Sequence, residues 1–375
     1  MTRIKDYPIG VILPTAPNQN HTPIESRVVV LNQQGRHVQA SRLLKDVIQN
    51  EHNNGNRIST TTIEFAAARL NDEDNFEEAS SLLKIAIQKG YKDINHLTIE
   101  CAAVGLTKDD KNFNPEVASE LLKVAIQKGY NTGENRINRA TIESTVARLH
   151  DQKNFKEASA LLQVAIQRGY NTGDYRINAE TIGLVAIGLH TQENFEEASA
   201  LLKVAIQNGY NTIDNRVSTR TIEYSVFGLT KDKENLKLLE EGSELLKAAI
   251  QHGYTDINHE TIEVTASRLD DKGNPEEARL LLEAAIENGY NTGKNRIKPQ
   301  VINFTATKLN EQKKPNVASH LLKIAIEVGY KDLSPKTITF TIIMLKNKRD
   351  RKSIQKAEQL QRLACSNGYI LDKIF

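Results

Sequence analysis

One sixteen-residue sequence recurs along the chain and determines what the chain can fold into. It reads FKEASALLQVAIQRGY at 155–170 and FEEASALLKVAIQNGY at 195–210, and diverged versions extend from residue 38 to residue 369. Its apolar residues, such as Phe155, Ala158 and Leu162, are three and four positions apart, which places them on one face of a helix. One helix cannot bury that face alone, so the repeats must pack against one another. The sequence therefore predicts an all-α fold of stacked repeats.

Each repeat contains a second helix before this one. Helix A begins near a Thr-Ile-Glu motif, as in TIESTVARL at 141–149, and the sixteen-residue sequence forms helix B. The Thr position recurs every 36 to 43 residues and is occupied by Pro23, Thr62, Thr98, Thr141, Thr181, Thr221, Thr261, Val301 and Thr337. This register predicts nine antiparallel helical hairpins. We expect the differences in period to lie in the loops, for example at 231–239.

The repeats leave little of the chain unassigned. We expect a poorly ordered N-terminal segment at 1–19, which contains Pro8, Pro14 and Pro17 and has no helical period. We expect a single helical-repeat solenoid at 20–375. Its units are predicted to begin near residues 20, 59, 95, 138, 178, 218, 258, 298 and 334.

The ends of the helices follow the same chemistry in every repeat. Asn or Ser lies three residues before the Thr position, where its side chain can cap helix A, at Ser59, Asn95, Asn138, Asn178, Ser218, Asn258 and Ser334. A Gly-Tyr pair closes helix B, which is typical of a left-handed turn with an apolar residue folded back on the last helical turn. We therefore predict that these tyrosines serve packing, at Tyr91, Tyr130, Tyr170, Tyr210, Tyr254, Tyr290, Tyr330 and Tyr369.

Nothing in the sequence indicates catalysis. It has no Gly-x-Ser-x-Gly elbow, no Gly-x-Gly-x-x-Gly turn and no P-loop, so we expect no enzyme, no cofactor and no small-molecule substrate. The histidines and cysteines lack metal-ligand spacing, so no metal site is expected. Cys101 and Cys365 are predicted to be free and buried, and His150 and His190 to be solvated or to cap helix A.

Charge and hydropathy restrict the compartment and the partner. The formal net charge is +2, from 49 basic and 47 acidic residues, which argues against a polyanion gripped by the whole surface. No apolar run is long enough for a membrane span, and the short run at 9–13 is too brief for a signal-peptide core. We expect a cytoplasmic protein without a membrane partner, while export without a signal peptide or import into an organelle stays open.

The register resembles the pentatricopeptide repeat. In that family Thr opens helix A, Leu follows eight positions later, Ala lies seventeen positions after Thr, and Gly closes helix B. All four positions match in the units with Thr141, Leu149, Ala158 and Gly169, and with Thr181, Leu189, Ala198 and Gly209. The resemblance covers about 20–375, and its pairs of small residues also resemble tetratricopeptide and Sel1-like repeats. It implies a right-handed superhelix that binds single-stranded RNA, one base per repeat.

The resemblance also implies two base-selecting positions in each repeat. The position just before helix A matches the family as Asn95, Asn138, Asn178 and Asn258. The position two residues after Thr does not match, because it is a glutamate at Glu25, Glu64, Glu100, Glu143, Glu223 and Glu263. A row of carboxylates on that face would oppose a polyanion, whose affinity comes largely from Lys and Arg.

Three features are candidates for a binding surface. The first is the glutamate row on helix A, which is either a negative groove for a basic peptide or a consequence of the helix dipole and solvation, at Glu64, Glu100, Glu143, Glu223 and Glu263. The second is an arginine row in the longer connections, which either holds phosphates or packs and pairs with acids, at Arg57, Arg136, Arg176, Arg216 and Arg296. The third is the basic run 346–352, expected in the loop of the last hairpin.

The charge of one repeat decides between the possible ligands. The unit at 141–180 has as many basic as acidic residues and carries the regular acid row. A neutral repeat favours a protein or peptide ligand. The sequence therefore predicts a non-enzymatic scaffold that binds a protein or peptide, with single-stranded RNA as the alternative.

Overall fold

A computed structural model of the chain describes residues 23–50, 57–108, 113–212, 214–232 and 234–371. Within these ranges the chain forms eighteen α-helices and one two-residue antiparallel ladder, in which Asn211–Thr212 (β1) pairs with Asn215–Arg216 (β2). The helices alternate as helix A and helix B, and the predicted all-α repeat fold is confirmed. The segment 1–19 lies outside the described residues.

The chain divides into two compact units, 1–177 and 178–375. The first unit contains α1 (Pro23–Gln33), α2 (His37–Asn50), α3 (Thr60–Asp72), α4 (Phe76–Gln88), α5 (His96–Leu106), α6 (Pro115–Gln127), α7 (Arg139–Asp151) and α8 (Phe155–Gln167). The second unit contains α9 (Ala179–Thr191), α10 (Phe195–Gln207), α11 (Thr219–Lys231), α12 (Leu236–Gln251), α13 (His259–Asp271), α14 (Pro275–Glu287), α15 (Pro299–Glu311), α16 (Pro315–Glu327), α17 (Pro335–Asn347) and α18 (Arg351–Ser366). Short 3-10 turns lie at Gly173–Tyr175 and Gly293–Asn295. A single solenoid at 20–375 stays a prediction.

The core of each unit lies between helix A and helix B layers. Within a unit, a helix B packs against its own helix A, the following helix A and the neighbouring helices B, as α4 does with α3, α5, α2 and α6. In α8 the stripe that includes Ala158, Leu162 and Ile166 is fully buried. Small Ala next to Leu lets adjacent helices approach closely, so the seams are filled by aliphatic side chains.

The helix starts follow the predicted caps. Ser59, Asn95, Asn138, Asn178, Ser218, Asn258 and Ser334 all occupy the N-cap position of a helix A. Ser218 is the exception in its chemistry, because its side chain accepts no capping hydrogen bond.

The insertion in the sixth hairpin is not confined to a loop, and that part of the prediction is wrong. Helix α12 begins at Leu236 and has 16 residues, against 13 in α10 and α14. Asn235 accepts a hydrogen bond from the amide of Leu238 and so caps an earlier start. The inserted leucines continue the helical apolar spacing, which is why they extend helix B.

A tyrosine ladder connects successive repeats at the ends of helices B. After the left-handed glycine, the amide of Tyr170 donates to the carbonyl of Ala165 over 3.0 Å, which folds the ring back into the core. Within each unit, the hydroxyl of a ladder tyrosine then donates to the carbonyl of the ladder tyrosine one repeat earlier. In the first unit these bonds run from Tyr130 to Tyr91 and from Tyr170 to Tyr130. In the second unit they run from Tyr254 to Tyr210, Tyr290 to Tyr254, Tyr330 to Tyr290 and Tyr369 to Tyr330.

The same hydroxyls also bond to the residue before the cap of helix A, in a way that depends on loop length. After a short connection the hydroxyl accepts from a backbone amide, as Tyr290 does from Ile257 over 3.0 Å. After a longer connection it donates to a backbone carbonyl, as Tyr330 does to Ile297 over 3.0 Å. The buried hydroxyl is therefore paired in both cases, and the predicted packing role of the tyrosines is confirmed.

Replacing Tyr290 by Phe tests the ladder. The Tyr290→Phe variant loses the donor to Tyr254 and leaves the buried amide of Ile257 without its acceptor, which should lower the free energy of unfolding by about 1–3 kcal/mol. Tyr175, which is 40% exposed, is the control. Tyr175→Phe should change the free energy of unfolding by less than about 0.5 kcal/mol. Equal urea midpoints for the two variants would contradict the role of the ladder.

Two helix A glycines make room for a phenylalanine of the preceding helix B. A Cβ built on Gly105 would lie 2.1 Å from the Cδ1 atom of the Phe76 ring, and one on Gly228 would lie 2.1 Å from the Cδ1 atom of Phe195. Phe76 is buried, so its ring cannot move aside freely. These glycines are required by packing and not by backbone conformation.

Alanine at two helical glycines should therefore have opposite effects. Gly105→Ala should destabilise the protein by about 1–3 kcal/mol because the new methyl group overlaps the Phe76 ring. Gly183 in α9 is the matched control, since a Cβ there meets only the Thr221 hydroxyl oxygen at 3.8 Å. Gly183→Ala should stabilise by up to about 1 kcal/mol through helix propensity. Thermal unfolding followed by circular dichroism measures both, and a stable Gly105→Ala variant would be the contrary result.

Candidate functional site

The glutamate row predicted as a ligand surface makes contacts between repeats. The carboxylate of Glu100 accepts the backbone amide of Asn138, the next N-cap residue, over 2.6 Å, and Glu223 accepts that of Asn258 over 2.6 Å. The same bond joins Glu25 to Ser59, Glu64 to Asn95 and Glu263 to Lys298. These carboxylates therefore position the following helix A. Their contact with a partner stays a prediction.

Not every repeat has a glutamate at this position. Glu143 lies 3.5 Å from the guanidinium of Arg139, four residues earlier on α7. In the eighth hairpin the amide oxygen of Asn303 replaces the carboxylate and accepts the amide of Ser334 over 3.1 Å. In the fifth hairpin the position is Gly183, which has no side chain to offer. The contact can thus be made by a neutral acceptor, and one repeat does without a side-chain acceptor at this position.

Burial modifies the titration of two of these carboxyls. Desolvation raises the pKa of Glu64 and of Glu100 above their usual value. The hydrogen bond from the next N-cap amide acts in the opposite direction, because it stabilises the ionised form. Groups in this situation serve mainly as structural acceptors.

The arginine row stacks on the tyrosine ladder. In four of the five arginines, the guanidinium carbon lies over the ring of the ladder tyrosine in the next repeat. The distances are 4.1 Å for Arg57 on Tyr91, 4.5 Å for Arg136 on Tyr170, 4.0 Å for Arg216 on Tyr254 and 4.2 Å for Arg296 on Tyr330. This is the geometry of a cation–π contact. The backbone carbonyl of Arg176, the remaining arginine of the row, accepts a hydrogen bond from the guanidinium of Arg139 over 3.0 Å.

Several of these arginines have a second fixed partner. Arg296 binds both carboxylate oxygens of Asp332, at 2.6 and 2.9 Å, and holds the pKa of that carboxyl below its usual range. Arg216 pairs with Asp256, and Arg136 donates to the carbonyl of Gly169 over 2.9 Å. The predicted pairing with a neighbouring acid is thus observed at two positions. A phosphate would have to displace these contacts.

An apolar surface that the sequence analysis missed lies on helix A in the second unit. Three residues after the Thr position, large apolar side chains are exposed, at Leu184, Tyr224, Val264, Phe304 and Phe340. Six residues after it, the exposed side chains are Ile187, Phe227 and Ile343. We call these eight residues the helix A ridge. Tyr224 and Phe227 are the most exposed aromatic residues in the described ranges, at 58% and 59%.

The described helices A of the first unit expose no large apolar side chain at these positions. The positions hold Ser144 and Ala147 in α7, Cys101 and Val104 in α5, and Phe65 and Ala68 in α3, where Phe65 is only 8% exposed. Aligning the helix A sequences by register would reveal the ridge, because apolar residues there fall outside the buried stripe. The motif Thr-Ile-Glu drew attention to the preceding position instead.

Charged residues border the ridge and change sign from repeat to repeat. The residue before the Thr position is Glu180, Arg220, Glu260, Gln300 and Lys336 in the fifth to ninth hairpins. Lys231 and Asp271 are the last residues of helix A in the sixth and seventh hairpins and border the other end of the ridge there. All seven side chains are exposed, and none forms an ion pair with another described residue.

Polar residues are buried where neighbouring helices A meet, and they correct the prediction for His190. Its Nε2 atom lies 2.7 Å from the hydroxyl of Ser225, it is buried, and burial lowers its pKa to about 4. In the same register, Asp270 accepts from the Thr305 hydroxyl over 2.6 Å. Burial raises the pKa of Asp270 to about 7.

The structure corrects two further expectations. Cys101 and Cys365 are free, but both are exposed, so their predicted burial is wrong. The basic run is only partly in a loop, because Lys346 belongs to α17 and Arg351 begins α18. Among the described residues there is no cluster of three or more His, Cys, Asp or Glu side chains that could hold a metal ion, and no helix with the length and apolar character to cross a bilayer.

The glutamate row yields one prediction. Glu223→Ala removes the acceptor for the Asn258 amide and should cost about 1 kcal/mol, whereas Glu223→Gln keeps an oxygen there and should cost much less. Glu180→Ala, at an exposed residue without an ion pair, is the control and should be close to neutral. Urea unfolding measures all three. If Gln and Ala were equally destabilising, the hydrogen bond would not be the important contact.

Asp270 yields a prediction for pH dependence. Its carboxyl holds a proton in the folded state up to about pH 7, but in the unfolded chain only up to about 3.8. The folded state therefore binds more protons between these values, so this group lowers the free energy of unfolding as pH rises from about 4 to 7. In Asp270→Asn that decrease should disappear. The variant should be more stable at pH 8 on the order of a few kcal/mol, and equal to the parent near pH 4. A difference that does not change with pH would contradict the burial of an ionising carboxyl.

Comparisons with known proteins show only distant likenesses. No family model matches the chain, and no curated protein matches it. Among solved structures, a circular tandem repeat protein with a novel repeat topology is 13% identical, with a TM-score of 0.32, over 92% of this chain and 88% of that one. The Puf3 RNA binding domain bound to an RNA recognition sequence is 13% identical, with a TM-score of 0.40, over 91% and 96%. A monomeric mutant of IFIT1 with Gppp-AAAA is 12% identical, with a TM-score of 0.22, over 92% and 89%. Likenesses this weak carry no argument, and on its own helices and register the chain is a helical-repeat protein of the all-α solenoid class.

Proposed function

We propose that the protein is a non-catalytic scaffold that binds a protein segment along the helix A ridge. The observation that supports this is the exposure of eight large apolar side chains at two fixed register positions of five successive repeats. Exposed apolar surface in a contiguous row is characteristic of interaction sites, because a soluble chain gains nothing by leaving it in water. The ligand is then a segment that presents apolar side chains.

Charge favours protein over nucleic acid. Binding of a phosphate chain depends on Lys and Arg that are free to neutralise it. The ridge borders alternate in sign, with Glu180, Glu260 and Asp271 beside it. The arginine row is stacked on tyrosines and partly paired with acids. Neither surface offers a continuous basic path.

Single-stranded RNA is the second candidate, on a specific observation. Tyr224, Phe227, Phe304 and Phe340 are exposed aromatic side chains on which bases could stack. The ammonium of Lys308 lies 5.3 Å from the centre of the Phe304 ring, so one basic group is close to this row. The resemblance of the register to the pentatricopeptide repeat points to the same ligand.

A random peptide library displayed on phage, together with a random single-stranded RNA pool at ~150 mM salt, separates the two candidates. The double variant Phe227→Ser, Phe304→Ser removes the centre of the ridge. Leu280→Ser on helix B, where Leu280 is 41% exposed, is the matched control. We expect peptides that bind the parent and the control but not the ridge variant, and no submicromolar RNA binding.

Other outcomes overturn the proposal. Failure to select any peptide, with tight binding of the RNA pool that the ridge variant loses, would identify RNA as the ligand. Peptides that bind the ridge variant and the parent equally would place the site elsewhere.

A further inference from the structure

We propose that the ridge holds its ligand as an extended chain, with three ligand residues for each repeat and an apolar side chain at every third ligand position. This inference rests on the proposed function, since it specifies the conformation and pattern of the protein segment. It concerns the five hairpins of the second unit, where the ridge lies.

The spacing of the helices sets the ligand's period. Helices α9, α11, α13, α15 and α17 pack directly, each against the next. Axes of packed helices are about 8–10 Å apart, so equivalent ridge positions recur at that interval. A polyproline II chain advances ~3.1 Å per residue and makes one turn in three residues, so every third side chain returns to the same side after ~9 Å. Its period therefore matches that of the ridge.

The other regular conformations do not match. In a β-strand, side chains on one face recur every ~6.6 Å. One such interval is shorter than the distance between neighbouring helices A and two are longer, so strand side chains would not stay opposite successive helices. An α-helix laid across the ridge repeats every 5.4 Å along its axis and covers ~9 Å in six residues, which is not a whole number of turns. Only the three-residue period places one apolar side chain against each helix A.

The border charges fix which ligand fits. From the fifth to the ninth hairpin the borders carry a negative charge at Glu180, positive charges at Arg220 and Lys231, and negative charges at Glu260 and Asp271. In the eighth hairpin Gln300 is neutral, and Glu311, the counterpart of Lys231 and Asp271, is paired with Lys308 at 3.2 Å. The ninth hairpin has Lys336. A complementary segment therefore carries positive, negative, positive, neutral and negative residues beside its successive apolar side chains.

The same charges disfavour a second copy of the ridge as the occupant. In a two-fold pairing of ridges, the seventh hairpin at the centre faces itself. Glu260 and Asp271 would then oppose the same two acids in the other copy. A uniformly negative chain is disfavoured as well, because it would meet like charges at the fifth and seventh hairpins.

Three fluorescein-labelled synthetic peptides of fifteen residues and one composition test the inference. The first has five Leu-Ser-X triplets, with X as Lys, Glu, Lys, Ser and Glu. The second has the charges exchanged, with X as Glu, Lys, Glu, Ser and Lys. The third keeps the residues of the first but places Leu at every second position. Fluorescence anisotropy with the full chain measures the dissociation constants.

The first peptide should bind at least about tenfold more tightly than either of the others. The protein variant Arg220→Glu, Lys231→Glu should weaken the first peptide by about tenfold and leave the helical circular dichroism unchanged. Equal binding of the first and second peptides would overturn the charge register. Tighter binding of the third would overturn the three-residue period while leaving the proposed function intact.

Two results would remove the basis of the inference. No binding of any of the three peptides, with random-library peptides that do bind the ridge, overturns the extended three-residue ligand alone. No selected peptide at all overturns the proposed function with it. Sedimentation velocity gives the remaining outcome: a dimer that Phe227→Ser converts to a monomer would make a second copy the occupant.

Discussion

The hydrogen bond from a tyrosine hydroxyl to the backbone of the preceding repeat is the contact on which the stacking in each unit depends. The helices B from α4 to α18 end in a left-handed glycine, and the turn leaves backbone groups that a buried seam must satisfy. The next ladder tyrosine satisfies them, as Tyr254 does for the carbonyl of Tyr210 over 2.7 Å. The ring of Tyr254 packs in the seam, and the guanidinium of Arg216 stacks on it. The same residue therefore fixes the distance between repeats, ends helix B and holds the connection to the next helix A.

Once the seams are formed, most of the regular polar residues are already engaged. The glutamates accept amides of the next helix A, and the arginines stack on the ladder. Regularity in the sequence therefore reports contacts between repeats. The helix A ridge differs, because its residues vary in identity but keep their exposure, and exposed apolar side chains do nothing for stacking. We therefore propose the ridge as the binding surface.

Local features of the fold could be predicted from the sequence, whereas contacts between repeats could not. Helix periods, caps such as Asn138 and the burial of Tyr170 depend on residues within one turn or one hairpin. The partner of Glu100 is 38 residues away, so the residues around Glu100 do not reveal its hydrogen bond. The prediction that His190 is solvated or caps helix A fails for the same reason, since Ser225, to which it bonds, belongs to the next repeat. The ridge was missed because exposure depends on which face of helix A the neighbours leave uncovered.

Hydrogen exchange of single backbone amides tests the central claim, that side chains of one repeat satisfy the backbone of the next. Amides at N-cap positions ordinarily exchange quickly, because no helical carbonyl accepts them. Those of Asn138 and Asn258 are bonded to Glu100 and Glu223, whereas that of Ser218 follows the repeat that has Gly183 in place of glutamate. Each amide's exchange rate is compared with that of the same residue in an unstructured peptide. On that scale the amides of Asn138 and Asn258 should be protected at least about tenfold more than the amide of Ser218. Equal and fast exchange of all three would contradict the account.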